Sequence, residues 1–176
     1  MLYAKKKAKK LIAAVNGLDD TSIVAAIKLT GFDVAYRATP AAYKPIEDIN
    51  PDSYTISNVR IMVGRALDFF DRYGPVTKFG YTFEDGYTKV IGTGDGDFMT
   101  SDTLWDFKVS KNEPQNKHTF QLLVYYIMGL HSSHPEYRNI KQLGIYNPRS
   151  NKVYRYPIDK IGDEVIKRIE EEVIGY

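Results

Sequence analysis

The sequence contains no cysteine, which removes disulfide cross-links, thiolate zinc centres and cysteine-bound iron-sulfur clusters together. Long apolar runs are missing too: nothing approaches the roughly 18 to 20 residues that a membrane-spanning helix needs. The opening MLYAKKKAKKLIAAV begins basic, but its apolar stretch LIAAV is shorter than the about 7 to 15 residues of a signal-peptide core. There is no internal repeat, and no low-complexity segment beyond that lysine run. These absences point to a soluble, cytoplasmic protein. At 176 residues the chain has the size of one ordinary domain with a full core.

Charge of one sign is also in short supply, since the net charge is only +2. It is unevenly placed. Lys5, Lys6, Lys7, Lys9 and Lys10 carry more than the whole excess, so the remainder is slightly acidic. Between Thr100 and Arg155, eight basic residues stand against Asp102, Asp106, Glu113 and Glu136. That local excess suits a polyanion without marking a dedicated high-affinity binder.

Ala8, Leu11, Ile12 and Val15 recur at helical spacing, which predicts a basic amphipathic helix over 4–15. Asp19 and Asp20 offer N-caps for a second helix, expected to break near Gly31 and resume briefly through Val34 and Tyr36. Thr39 to Ser53, with Pro40, Pro45 and Pro51, reads as a connecting loop. A helical N-terminal extension over 1–50 and a core over 51–176 follow from it. In the core, Val59, Met62, Val63, Leu67 and Phe70 predict a helix over 56–73, ended by Gly74-Pro75.

Two strands are expected next, Val76 to Phe83 and Tyr87 to Gly92, joined at Asp85-Gly86 as a hairpin. The chain around Gly94 to Phe98 is expected to continue the second of them. A strand over 102–109, a buried helix over 118–130, strands at 143–146 and 152–156 and a helix over 159–173 complete the order. The fold class is therefore α/β, with a mixed central β-sheet flanked by helices.

The chemistry concentrates in GDGDFMTSDTLWDFK, Gly94 to Lys108. On a strand, Asp106 and Lys108 share one face while Trp105 and Phe107 share the other. A carboxylate and an ammonium on one face, with Asp95 and Asp97 on the preceding strand, form a cage suited to a divalent cation and a water. Either Asp95 or Asp97 can supply the second carboxylate; Asp102 reads as a turn residue. Gln121 and Tyr125 lie four apart, on one face of their helix. His131 and His134 have a ligand-like spacing, but with only Glu136 nearby they, like His118, read as surface or capping residues.

Gly94-Asp95-Gly96-Asp97, Asp106-Phe107-Lys108 and Gln121 to Tyr125 resemble, in order, the G-x-x-D, D-x-K and Q-x-x-x-Y motifs of the PD-(D/E)xK nuclease superfamily, in its RecB-like exonuclease branch. The resemblance covers about 56–156. It implies a restriction-endonuclease-like core and hydrolysis of DNA by a Mg²⁺- or Mn²⁺-dependent nuclease. It also implies that Asp97 and Asp106 ligate the metal, that the Phe107 carbonyl completes the shell and that Lys108 orients or activates the attacking water. Gln121 and Tyr125 then contact nucleic acid or support the catalytic groups. RecB-like nucleases often carry G-x-x-x-H on the preceding helix; here Gly64 is followed by Asp68, an oxygen ligand in the histidine's place, with Asp71 as the fallback. Relatives with an iron-sulfur cluster use cysteines that this chain lacks. The alternative is a non-catalytic nucleic-acid-binding or assembly subunit on the same scaffold.

Overall fold

The computed structural model describes residues 2–37 and 45–176. Part of the expected 39–53 connector, Pro40 included, lies outside the described residues. The chain forms two compact units, 1–64 and 65–176, divided within helix α3 (Ser53–Tyr73).

The first unit holds α1 (Leu2–Ala14), α2 (Asp20–Arg37) and the start of α3. Asp19 caps α2: its Oδ1 accepts the Ser22 N–H at 3.0 Å and its Oδ2 the Ser22 hydroxyl at 2.7 Å. These bonds hold the Asp19 carboxyl below its usual range, the hydroxyl contributing most. Contrary to expectation, α2 runs through Gly31 without a break. A single glycine costs a helix about 1 kcal/mol, which flanking turns outweigh. Ile23, Ala25 and Ile46 are buried. Arg60 on α3 donates to the Leu18 carbonyl at 2.8 Å and pairs with Asp20.

The second unit is built on one five-stranded sheet in sequence order, β1 (Lys78–Tyr81), β2 (Gly96–Met99), β3 (Thr103–Phe107), β4 (Gln142–Asn147) and β5 (Lys152–Pro157). Only β3 and β4 are parallel. A parallel neighbour requires a crossover, and α4 (Asn116–Leu130) supplies it. Helix α5 (Asp163–Ile169), prolonged by a π-helical turn to Ile174, closes the chain.

The two sheet faces carry separate cores. On one, Phe69 of α3 lies among Phe98, Trp105 and Tyr146, stacked on Tyr146 at 4.2 Å and edge-on to Trp105 at 4.8 Å. On the other, Leu122, Ile127 and Met128 of α4 pack on Met99, Leu104, Leu143 and Ile145. Alternation along β3 explains the split, with Trp105 and Phe107 toward α3 and Leu104 and Asp106 toward α4. In β1, Gly80 adopts φ +61 and breaks the alternation. Phe79 therefore meets Phe70 and Phe98, while Tyr81 enters the α4-side core.

The Tyr87–Gly92 hairpin strand does not form, and β1 pairs with β2 instead. The turn at Asp85 exists, with φ +68, but the chain beyond it is held elsewhere. Gly86 abuts α4 so closely that a Cβ would lie 2.3 Å from the Met128 carbonyl oxygen. Thr88 donates to the Ile174 carbonyl and accepts the Val90 and Ile91 N–H groups, and Tyr87 donates to the Gly94 carbonyl at 2.7 Å. Side chains thus bind backbone groups that a ladder would otherwise use. Among the described residues no helix is long and apolar enough to cross a membrane.

Candidate active site

The β2–β3 register pairs Phe98 with Trp105 and Met99 with Leu104. One further antiparallel step sets Asp97 across from Asp106 on the α4 side of the sheet. The Phe107 N–H donates to Asp97 Oδ2 at 2.6 Å, so a side chain takes the donor at the end of the ladder. Asp106 is 6% exposed. Its Oδ1 accepts from the Lys108 ammonium at 2.9 Å, while its Oδ2 is buried and has no hydrogen-bond partner.

Helix α4 faces this edge with His118, Gln121 and Tyr125, spaced to share one side. Gln121 Oε1 lies 3.4 Å from Lys108 Nζ, and its Nε2 donates to the Tyr125 hydroxyl at 2.9 Å. Tyr125 is wedged against Phe83, ring centres 5.0 Å apart. The relay from Asp106 through Lys108 and Gln121 to Tyr125 therefore ends on packed aromatic rings, which fix where the ammonium sits.

Burial raises the Asp106 carboxyl above its ordinary value; the Lys108 ammonium opposes this, and the charge of Asp97 adds to it. Tyr81, fully buried beside the pair, is raised well above its usual value, by burial first and then by the charge of Asp106. An unpartnered buried carboxylate oxygen beside a second carboxylate is costly in itself. A hard divalent cation relieves both problems, and the donors available, Asp97, Asp106 and the Phe107 carbonyl, are all oxygen. The residues fit Mg²⁺ or Mn²⁺. Among the described residues there is no group of three or more His, Cys, Asp or Glu side chains that could hold a metal ion.

The other candidates sit outside β2 and β3. Asp68 and Asp71 are exposed on α3, which packs on the opposite sheet face. Burial raises the Tyr146 hydroxyl above its ordinary value; Arg65 opposes this, and the charge of Asp68 adds to it. Asp95 is exposed in the loop before β2. Asp102 lies in the β2–β3 turn, where its carbonyl accepts the Lys141 and Gln142 N–H groups. The spaced histidines diverge: His131 bonds Glu170 and stacks on Tyr176, whereas His134 bonds Glu84. His118 does cap α4, its Nδ1 accepting the Gln115 N–H at 3.1 Å, and it lines a cavity together with Lys108. Its place one turn before Gln121 was the available signal for that second role. Tyr81, which donates to the Trp105 carbonyl at 3.3 Å beside the pair, had none.

No protein-family model matches the chain, and no match was found among characterised proteins or solved structures.

Proposed function

We propose that the protein is a metal-dependent nuclease that hydrolyses DNA phosphodiester bonds, an exonuclease-like member of the PD-(D/E)xK superfamily with a restriction-endonuclease-like core. The observation that carries the reading is the buried, unpartnered Oδ2 of Asp106 across from Asp97, with the Lys108 ammonium 2.9 Å from the other oxygen of the same carboxylate. Support also comes from the parallel β3–β4 pair joined through α4, which brings the D-x-K and Q-x-x-x-Y residues into hydrogen-bond reach.

Asp97, Asp106 and the Phe107 carbonyl would hold the cation. When bound, it neutralises phosphate charge and lowers the pKa of a coordinated water. The chain's own residues do the rest. Lys108 presents a fixed positive charge beside the reacting phosphate, where negative charge develops. Gln121, held by Tyr125, limits the positions the ammonium can take. Asp97, bound to the Phe107 N–H, keeps the ends of β2 and β3 together and so fixes the separation of the two carboxylates.

The purified protein should degrade linear DNA with Mg²⁺ or Mn²⁺ and not with EDTA. Asp106→Asn and Lys108→Ala should each abolish cutting. Cleavage that survives both substitutions rules the mechanism out. DNA binding with no cleavage under any divalent ion would instead favour a non-catalytic binding or assembly subunit on the nuclease scaffold.

A further inference from the structure

Beside Lys108 the surface holds a second feature that the hydrolytic groups do not use. A cavity of about 280 Å³ opens between the end of β3, the 109–115 loop and the start of α4, lined by Lys108, Ser110, Asn112, Gln115, Lys117 and His118. Two of these residues are cationic and most of the others are neutral hydrogen-bonding groups. Glu113, the one carboxylate on its rim, is ion-paired with Lys152. The lining therefore favours an anion.

His118 is the fixed point of this cavity. Its Nδ1 accepts the Gln115 N–H at 3.1 Å, which orients the ring and sets the tautomer: in neutral imidazole the proton must then sit on Nε2. Among the described residues Nε2 has no hydrogen-bond partner, so a donor of known identity is left over. Lys108, which donates to Asp106 at 2.9 Å, also lines this cavity, so the cavity and the hydrolytic pair are neighbours. Lys108 belongs to both.

We infer that this cavity binds a backbone phosphate of the substrate next to the scissile one, with His118 Nε2–H donating to a non-bridging oxygen and Lys117 supplying charge. The inference rests on the nuclease reading for what the phosphate belongs to, but its binding chemistry needs no metal. A polynucleotide whose scissile phosphate lies against Lys108 and Asp106 must place a flanking phosphate within one nucleotide of that position, and the cavity adjoins it. His118 is thus a substrate-contacting residue whose contribution falls on binding.

His118→Asn is the informative variant, because a short amide can still accept the Gln115 N–H and keep the cap while removing the Nε2 donor. Binding of a labelled short DNA duplex is followed by fluorescence anisotropy in EDTA, and cleavage is followed separately with Mg²⁺. His118→Asn should weaken binding about tenfold. It should also raise KM while leaving kcat within about threefold. Lys117→Ala should weaken binding and lower the slope of log affinity against log salt by about one. Unchanged affinity and KM in His118→Asn overturn the inference, as does a wild-type protein that does not bind the duplex. A wild type that cuts DNA while His118→Asn binds equally well leaves the nuclease standing without this subsite. Binding that depends on His118 with no cutting by the wild type leaves the phosphate site standing without the nuclease.

Discussion

Asp97 stands across the sheet from Asp106, one register step beyond the last pair of β2 and β3, and its carboxylate holds the N–H of Phe107, the residue after Asp106. Like charges set directly opposite on a sheet destabilise it, and here one carboxylate is buried with an oxygen unpartnered. The sheet tolerates this arrangement at a cost that a bound cation would remove.

The first prediction follows from that cost. Mg²⁺ at about 100 times its dissociation constant should stabilise the wild type by roughly 2.7 kcal/mol, read as a raised Tm against an EDTA control. Asp106→Asn and Asp97→Asn should each lose most of that response. In EDTA, Asp106→Asn should melt no lower than the wild type, because it removes a buried like charge. Lys108, only partly buried, can turn to water when its partner is neutralised. A full Mg²⁺ response in both variants would mean that the cation binds elsewhere.

Asp68 tests how far the ligand set extends. It is exposed on α3, which packs on the sheet face away from Asp106. Asp68→Asn should leave the Mg²⁺-induced shift in Tm unchanged and alter the metal concentration for half-maximal cleavage by less than about threefold. A loss comparable to that of Asp106→Asn would bring α3 into the site.

How much of this was legible beforehand depends on the range of the interaction. The shared face of Asp106 and Lys108 follows from the two-residue period of a strand, and that of Gln121 and Tyr125 from the helical period; both are local. Which strand lies beside which is not local. Asp85-Gly86 makes the turn its sequence announces, but the close approach of Gly86 to Met128 and the bonds of Thr88 to the 174 carbonyl keep Tyr87–Gly92 away from β1. Gly31 shows the reverse case, a local breaker overridden by the helix around it. His118 was legible as a cap because capping is a matter of three residues. Its place beside Lys108 arises only when α4 folds back over β3.

Gly96 carries a prediction about space next to Asp97. A Cβ there would lie 1.8 Å from Cζ of Tyr81, a ring with no exposed surface, packed against Phe83 and Tyr137 and bonded to the Trp105 carbonyl. Gly96→Ala must move that ring or the β2 backbone, at a cost of about 3 kcal/mol in urea unfolding. Asp97 moves with it, so the Mg²⁺ response should fall although no ligand is altered. Tyr81→Leu combined with Gly96→Ala should cost clearly less than the two single losses added together, since the clash is shared. Strict additivity would show that the ring is not what Gly96 accommodates.

Glu84 sets a pH dependence distinct from that of the site. Its carboxylate accepts from the Thr82 hydroxyl at 2.7 Å and from His134 Nε2 at 2.6 Å, and these bonds, the hydroxyl first, lower its pKa to about 2. A carboxyl depressed in the folded state contributes stability that is present above its unfolded value and is lost as pH falls through the folded one. The window here runs from about pH 4.5 down to about 2. Because Glu84 is more than half exposed, water screens the interaction and the effect is small in absolute terms. Glu84→Gln keeps hydrogen-bond acceptance and removes the titration, so its unfolding free energy should vary less with pH across that window, the two proteins converging at the acid end. The backbone carbonyl of Glu84 accepts the Ser133 N–H at 2.9 Å, so acid weakens the contact between this turn and the segment that follows α4. The protection factor of the Ser133 amide should therefore fall in the wild type below about pH 4 more than in Glu84→Gln, and pH dependences of stability that stay parallel for the two proteins would place the acid sensitivity in other carboxylates.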